Sequence, residues 1–255
     1  MRNRLKSLLG LPDALEGMEQ LASSAQWRIN EWCAEFSDPH TEAGYQQHCQ
    51  HFTARQLLLA LGTWVVLILL FGIPDYLAMG WSAPFQGLLA MRVGVALCVL
   101  ALMRAVLRNP LMATRGRWTT VVEFIGLASF MLVYVLRPEI AMWTYALTLL
   151  MLIMLFVFVP NRLCNALAVA VAGALLTLAM VGQSRSLQTR ELVVLSLVLA
   201  LPIVTGYVSA WRVQMLQRQQ YALLMAARAN NAQLRQEVEQ RSALQEALRI
   251  QASID

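Results

Sequence analysis

Charged residues are scarce in this sequence. Only 14% of its 255 residues are Asp, Glu, Lys or Arg, whereas 58% are hydrophobic. A water-soluble globule of this size carries more charge. Familiar catalytic signatures are also absent, because the chain has no G-G-D/E-E-F, no glycine-rich phosphate loop, no H-E-x-x-H and no G-x-S-x-G. We therefore expect an all-α membrane protein, and we assign no catalytic residue and no cofactor to this chain.

Cysteine and histidine are rare as well. The four cysteines give no disulfide framework, because two precede the first span and two lie within or beside spans, so reduced thiols are expected. All three histidines fall close to two of these cysteines, and imidazole and thiolate are common metal ligands. Their spacing fits no standard finger, so a solvated connector is the plainer interpretation. The weak metal candidates are Cys33, His40, His48, Cys49 and His51.

Long apolar runs dominate the rest of the chain. A hydrocarbon core of about 30 Å needs roughly 20 helical residues, and a helix satisfies its own backbone in lipid. The sequence predicts a six-helix transmembrane bundle over residues 55–211. The predicted spans are Leu57–Ile73, Phe85–Val106, Trp118–Leu136, Ile140–Pro160, Leu163–Val181 and Glu191–Trp211.

The arginines predict the orientation, because short loops rich in Lys and Arg stay in the cytoplasm. The connections on one side of the predicted bundle are rich in arginine, and those on the other side carry few, Arg137 among them. Both termini are therefore predicted to be cytoplasmic. The chain has no basic groove with interleaved aromatic residues, so no nucleic-acid partner is expected.

A polar segment flanks the bundle at each end. Within residues 1–54, apolar side chains recur at helical spacing from Leu15 to Phe36, which predicts a cytoplasmic amphipathic helix. Its acidic residues favour docking on protein over docking on an anionic membrane surface. Residues 212–255 contain no glycine or proline and predict a helix continuous with the sixth span. This helix is either a coiled-coil-like stalk that shifts register or a solvated linker. Its candidate seam positions include Asn231, Leu234 and Val238.

Charged residues inside spans are candidates for function, because burying a charge in lipid is costly. Arg92 is expected to meet Asp75, Glu139 or Glu191, and Glu123 could pair with Arg104. Such pairs would either fix the packing of the helices or form a ligand or proton site, with Arg92 facing an outward cavity for an anionic or polar ligand. The ligand or sensing candidates are Arg92, Asp75, Glu123, Trp143 and Tyr145.

Two residues of the sixth predicted span are candidates for a hinge. Pro202 removes a backbone hydrogen bond, and Gly206 follows one turn later. The pair could convert a tilt of the span into a rotation of the stalk. The alternative is a static kink, which membrane helices tolerate.

The C-terminal residues EVEQRSALQEALRIQASID resemble the helical linker before GGDEF domains in membrane-bound bacterial diguanylate cyclases, and Ala252 to Asp255 match its A-x-x-D ending. The residues FGIPDYL, Arg92 and GYVSAWRVQMLQRQQY are similar to six-span input modules of those enzymes and of some class III adenylate cyclases. The resemblance implies a bacterial inner membrane and a dimeric parent that condenses two GTP into cyclic di-GMP. It also implies that Mg²⁺ and GTP bind only in an output domain beyond Asp255.

We therefore expect a dimeric sensory and regulatory membrane domain that controls a C-terminal nucleotide cyclase in response to an unidentified small molecule or protein. A transporter or channel is the alternative, although the spans lack an obvious inverted pair of Gly/Pro-broken helices. A passive scaffold that recruits partner membrane proteins would share the same sequence features.

Overall fold

A computed structural model describes residues 27–184 and 188–251 of the chain. These residues are mostly helical and contain one isolated antiparallel bridge but no β-strand, which confirms the all-α class. A 3₁₀ turn spans Pro138–Ile140, between the fifth and the sixth of the helices named next. The helices are α1 (Pro39–Leu70), α2 (Gly72–Met79), α3 (Ala83–Arg108), α4 (Leu111–Arg115), α5 (Arg117–Leu136), α6 (Ala141–Val157), α7 (Leu163–Ser184) and α8 (Thr189–Gln251).

Five helical stretches in the described residues are long and apolar enough to cross a membrane. The fourth predicted span corresponds to α6, which has 17 residues and is therefore about 26 Å long, shorter than a hydrocarbon core of about 30 Å. The chain thus has the character of a multi-pass membrane protein, and the count of six spans stays a prediction. The five stretches are Pro39–Met79, Ala83–Arg108, Arg117–Leu136, Leu163–Gln183 and Thr189–Gln245.

The chain divides into two compact units. The larger unit comprises Glu31–Ala34 and Glu42–Gln214 and contains the apolar bundle. At its centre lies α5, which packs against α3, α6 and α7. The approach of α5 to α7 is so close that a Cβ at Gly173 would overlap the Leu127 side chain. Small residues allow such close contact between membrane helices, and this contact fixes the helix that carries Glu123.

The smaller unit contains Glu35–Thr41 and, among the described residues, 27–30 and 215–251. It corrects the prediction for the N-terminal segment. Ile29 and Phe36 form the antiparallel bridge, with Asn30 N–H donating to Glu35 O at 2.7 Å. The rings of Trp27, Phe36 and Tyr221 pack edge to face or tilted, with centroids 5.9–6.3 Å apart. The predicted amphipathic helix is therefore wrong from residue 27 to Phe36, and residues 1–26 of that prediction lie outside the described residues.

The start of α1 explains why the segment before it is not helical. Pro39 disfavours the helical region for the residue before it, so a helix arriving from Phe36 has to end before Asp38. The Asp38 carboxylate instead caps α1, accepting hydrogen bonds from Thr41 Oγ1 at 2.6 Å and Thr41 N at 2.9 Å. These bonds, chiefly the one from the hydroxyl, lower the pKa of Asp38. The spacing of apolar residues was thus a weaker signal than the Asp-Pro start of the next helix.

Candidate functional site

Asp75, Arg92 and Arg137 form a buried ion cluster next to the break between α1 and α2. Asp75 on α2 accepts hydrogen bonds from Arg92 on α3, with Nη2 at 2.6 Å and Nε at 3.0 Å from the same oxygen, Oδ2. Its other oxygen, Oδ1, accepts from Nη1 of Arg137 at 2.7 Å. All three residues are buried, Asp75 to 3% exposure. The expected pairing of Arg92 with an acidic residue is confirmed, and its partner is Asp75.

Further contacts hold Arg92 in place. Its Nη1 donates to the carbonyl oxygen of Ile68 in the last turn of α1, at 3.2 Å. Its guanidinium carbon lies 6.0 Å from the centre of the Phe71 ring, within the range of a cation–π contact. Arg92 therefore binds both sides of the break between α1 and α2.

The ion cluster joins three elements through charge. Both oxygens of Asp75 are engaged by guanidinium groups, and Arg137 lies at the C-terminal end of α5. A buried carboxylate held in this way fixes geometry, because removal of a partner leaves an uncompensated charge. Sequence reasoning did not select Arg137 as a site residue, although it was one of the few arginines on the predicted outer side.

A second polar cluster lies near the start of α5. Glu123 Oε2 accepts a hydrogen bond from Asn161 Nδ2 at 2.7 Å, and the same amide donates to Thr120 Oγ1 at 3.0 Å. The expected pairing of Glu123 with Arg104 is wrong, because Arg104 is exposed and the carboxylate faces the connection between α6 and α7. Asn161 was missed, since an asparagine between two spans gives no particular signal in one sequence.

Gly116 makes room for this polar cluster. Its φ of 71° lies in the left-handed region, which favours glycine. A Cβ at this position would also lie 2.5 Å from Asn161 Oδ1. The backbone carbonyl oxygen of Asn161 accepts a hydrogen bond from Gln214 Nε2 on α8 at 3.0 Å. Asn161 therefore connects Glu123 on α5 with the last helix.

Two buried atoms of this cluster have no hydrogen-bond partner among the described residues: Glu123 Oε1 and Thr119 Oγ1. Glu123 is 4% exposed and Thr119 is fully buried. Buried polar atoms are nearly always hydrogen-bonded, so an unpaired one calls for an explanation such as an additional ligand.

The cysteine prediction is also corrected. Cys33 and Cys164 form a disulfide, with their Cα atoms 5.4 Å apart, so the expectation that all thiols are reduced is wrong for this pair. Sequence position did not reveal the pair, because 131 residues separate them and only the fold brings them together. The disulfide fixes the Glu31–Ala34 turn beside the start of α7.

Two hydrogen bonds attach the same turn to α8. Tyr207 donates its hydroxyl to the carbonyl oxygen of Trp32 at 2.7 Å, and Trp211 donates its indole N–H to that of Glu31 at 2.6 Å. The turn therefore connects α7 with the last helix.

The remaining metal candidates lie on α1, at His40, His48, Cys49 and His51. In the part of the chain that the structure describes, no group of three or more His, Cys, Asp or Glu is placed to hold a metal ion. Cys33 is bonded to Cys164 rather than grouped with the histidines.

The aromatic candidates have different surroundings. Trp143 on α6 is 71% exposed, whereas Tyr145 packs against Tyr134 with ring centres 5.6 Å apart. The Tyr134 hydroxyl is hydrogen-bonded to Thr148 at 2.7 Å. Tyr145 thus belongs to the packing between α5 and α6, and its sensing role stays a prediction.

The hinge candidates lie within α8, which continues past Pro202. Thr205 Oγ1 donates to the carbonyl oxygen of Leu201 at 2.8 Å. Gly206 packs on the Phe156 ring so closely that a Cβ would lie 2.6 Å from Cδ2. Gly206 is therefore a site of close helix contact, and whether the helix bends there stays a prediction.

Comparisons with family models, curated proteins and solved structures find no match.

Proposed function

We propose that this chain is the sensory and regulatory membrane part of a signalling protein, acting as a dimer on a C-terminal nucleotide cyclase. A GGDEF diguanylate cyclase, which makes cyclic di-GMP from two GTP, is the proposed output. The observation that carries the proposal is α8, a single helix from Thr189 to Gln251 whose first part is apolar and whose later part is polar. Helices of this kind suit the transfer of a change in membrane packing to a domain that follows them.

Contacts of the bundle with α8 support this role. The Phe156 ring packs on Gly206, the Glu31–Ala34 turn accepts hydrogen bonds from Tyr207 and Trp211, and Asn161 accepts one from Gln214. These contacts fall within three turns of α8, at the end of its apolar part. A rearrangement among the other membrane helices would therefore change forces on α8 immediately before its polar part.

The polar part of α8 supports the proposed dimer. Leu234 and Val238 lie one turn apart on the same side of the helix, and they are 57% and 64% exposed in the single chain. Asn231 precedes them by one turn. Burial of such a stripe against a second copy is the arrangement of a coiled coil, in which a polar seam residue sets register.

The test inserts one to seven alanines after Asn231 in the full-length protein. A helix of 3.6 residues per turn rotates the following residues by about 100° for each insertion. Inserts of three to five residues should therefore differ from one another in cyclic di-GMP made per membrane-inserted protein. The seven-residue insert, which nearly restores the phase, is the matched control and should be close to the unmodified protein.

A flat response to insert length would favour a passive linker. If neither the full-length protein nor any of its insertion variants makes cyclic di-GMP, the proposed diguanylate cyclase output is wrong.

A further inference from the structure

Glu123 is a buried acid without a cationic partner. Its carboxyl group is held by one hydrogen bond from a neutral amide, that of Asn161, and its second oxygen has none. It takes part in no ion pair in the part of the chain that the structure describes. An ionised carboxylate in such a place is unfavourable unless positive charge reaches it.

None of the described arginines at this end of the bundle forms an ion pair with Glu123. Those on α1, α4 and α5 and at the C-terminal end of α3 are exposed, and the one before α7 is half-buried. Helices α6 and α7 contain no acidic or basic residue. On α8, Arg212 before Gln214 is exposed, whereas Arg218, one turn after it, is buried. Glu123 forms an ion pair with neither of them. The arginines at this end of the bundle are Arg55 on α1, Arg104 and Arg108 on α3, Arg115 on α4, Arg117 on α5 and Arg162 before α7.

We propose that Glu123 is a proton-binding site, in which Oε1 takes up one proton from the solvent and the carboxylate becomes a neutral carboxylic acid. The proton adds no other reactant, and its release returns the carboxylate. Protonated Oε1 is a hydrogen-bond donor, and Thr119 Oγ1, one turn earlier on the same helix, is a buried oxygen without a partner that can accept from it. Because a threonine hydroxyl can also donate to a carboxylate, the distinct effect of the proton is that it removes the buried charge that has no cationic partner.

The arrangement favours a proton over a metal cation. A hard cation needs several oxygen ligands, whereas this cluster offers two unpaired oxygens. The amide N–H of Asn161 already points at Oε2, and a donor aimed at the carboxylate opposes a cation there. A proton needs only one oxygen.

Protonation at Glu123 is linked to the last helix through Asn161. The side-chain amide of Asn161 donates to Glu123, and its backbone carbonyl accepts from Gln214. An ionised Glu123 attracts the amide more strongly and would draw water into the cluster, which competes for the Gln214 contact. The proton is therefore a candidate signal for α8, although the site itself does not depend on the proposed cyclase output.

The test uses the purified full chain in lipid nanodiscs and difference infrared spectroscopy during a pH titration. At neutral pH we expect the C=O stretching band of a protonated carboxyl group, lost as pH rises and absent from Glu123→Gln. Glu191→Gln, which removes an exposed acid, is the matched control and should keep the band. Glu123→Asp should shift the band instead of removing it, and serves if the Gln variant does not fold.

Sodium chloride is added at constant pH in a second arm, against choline chloride. No change of the band supports a proton site. Loss of the band on adding sodium alone would overturn the proposal in favour of a metal cation. A Glu123 that shows only carboxylate bands at neutral pH, or a band that persists in Glu123→Gln, would overturn it as well. None of these readouts requires a nucleotide product, so failure here is distinct from failure of the proposed function.

Discussion

The Asp75 ion cluster allows a quantitative prediction about stability. Asp75→Asn keeps the shape of the side chain but removes the negative charge between two buried guanidinium groups. Breaking a buried ion pair by removing one partner costs about 3–5 kcal/mol. Asparagine retains one acceptor oxygen, so we expect a loss near 3 kcal/mol for Asn and nearer 5 kcal/mol for Ala.

Removal of an arginine should cost less. In Arg92→Met, Asp75 keeps its contact with Arg137, so the loss is that of hydrogen bonds to a charged group, about 1.5–3 kcal/mol. The double variant Asp75→Asn/Arg92→Met should fall short of the sum of the two single effects by about 0.5–3 kcal/mol, because the residues are in direct contact.

The measurement is reversible unfolding in mixed micelles of increasing denaturing detergent, followed by circular dichroism. Leu77→Ala, on the same short helix and 77% exposed, is the control and should stay within about 0.5 kcal/mol of the unmodified protein. If Asp75→Asn also stays within about 0.5 kcal/mol, or if the two effects simply add in the double variant, the ion cluster does not hold these helices together.

Two further predictions concern contacts of α7 and α8. Gly206→Ala places a methyl group against the buried Phe156 ring and should lower the free energy of unfolding by about 1–3 kcal/mol. Gly182→Ala is the control and should not lower it, because no atom lies within 4 Å of the added Cβ. Equal stabilities of the two variants would contradict the close packing at Gly206. When the unreduced, denatured protein is alkylated, mass spectrometry should find Cys33 and Cys164 unmodified, because both sulfur atoms are in the disulfide. Cys33→Ser should lower the free energy of unfolding by about 2–4 kcal/mol. Cys98→Ser is the control for an exposed thiol outside the disulfide, and full alkylation without reductant would exclude the bond.

Much of the fold follows from local patterns in the sequence. Long uncharged runs predict helices wherever they occur, and the residues that the structure describes contain five such helical stretches. The Asp-Pro pair before α1 is also a local pattern, and it marks a helix start that the apolar spacing around Phe36 does not reveal. The predicted amphipathic helix was wrong there because a periodic pattern indicates which face of a helix could be buried. The pattern does not indicate whether the start of another helix interrupts it.

The candidate sites could be predicted only in part. A charge in an apolar run is visible in the sequence, so Arg92, Asp75 and Glu123 were found. Their partners were found less well: Arg137 is 62 residues from Asp75, and Asn161 is 38 residues from Glu123. No local rule connects residues so far apart.

By itself the sequence determined that the chain is helical, apolar and built of membrane-length segments, because hydrophobic content and backbone satisfaction in lipid act residue by residue. Only the tertiary structure decided which charges meet, which cysteines join and which acid is left with an unpaired oxygen. These depend on how each helix is rotated about its axis and which neighbour it faces, and packing between distant segments sets both.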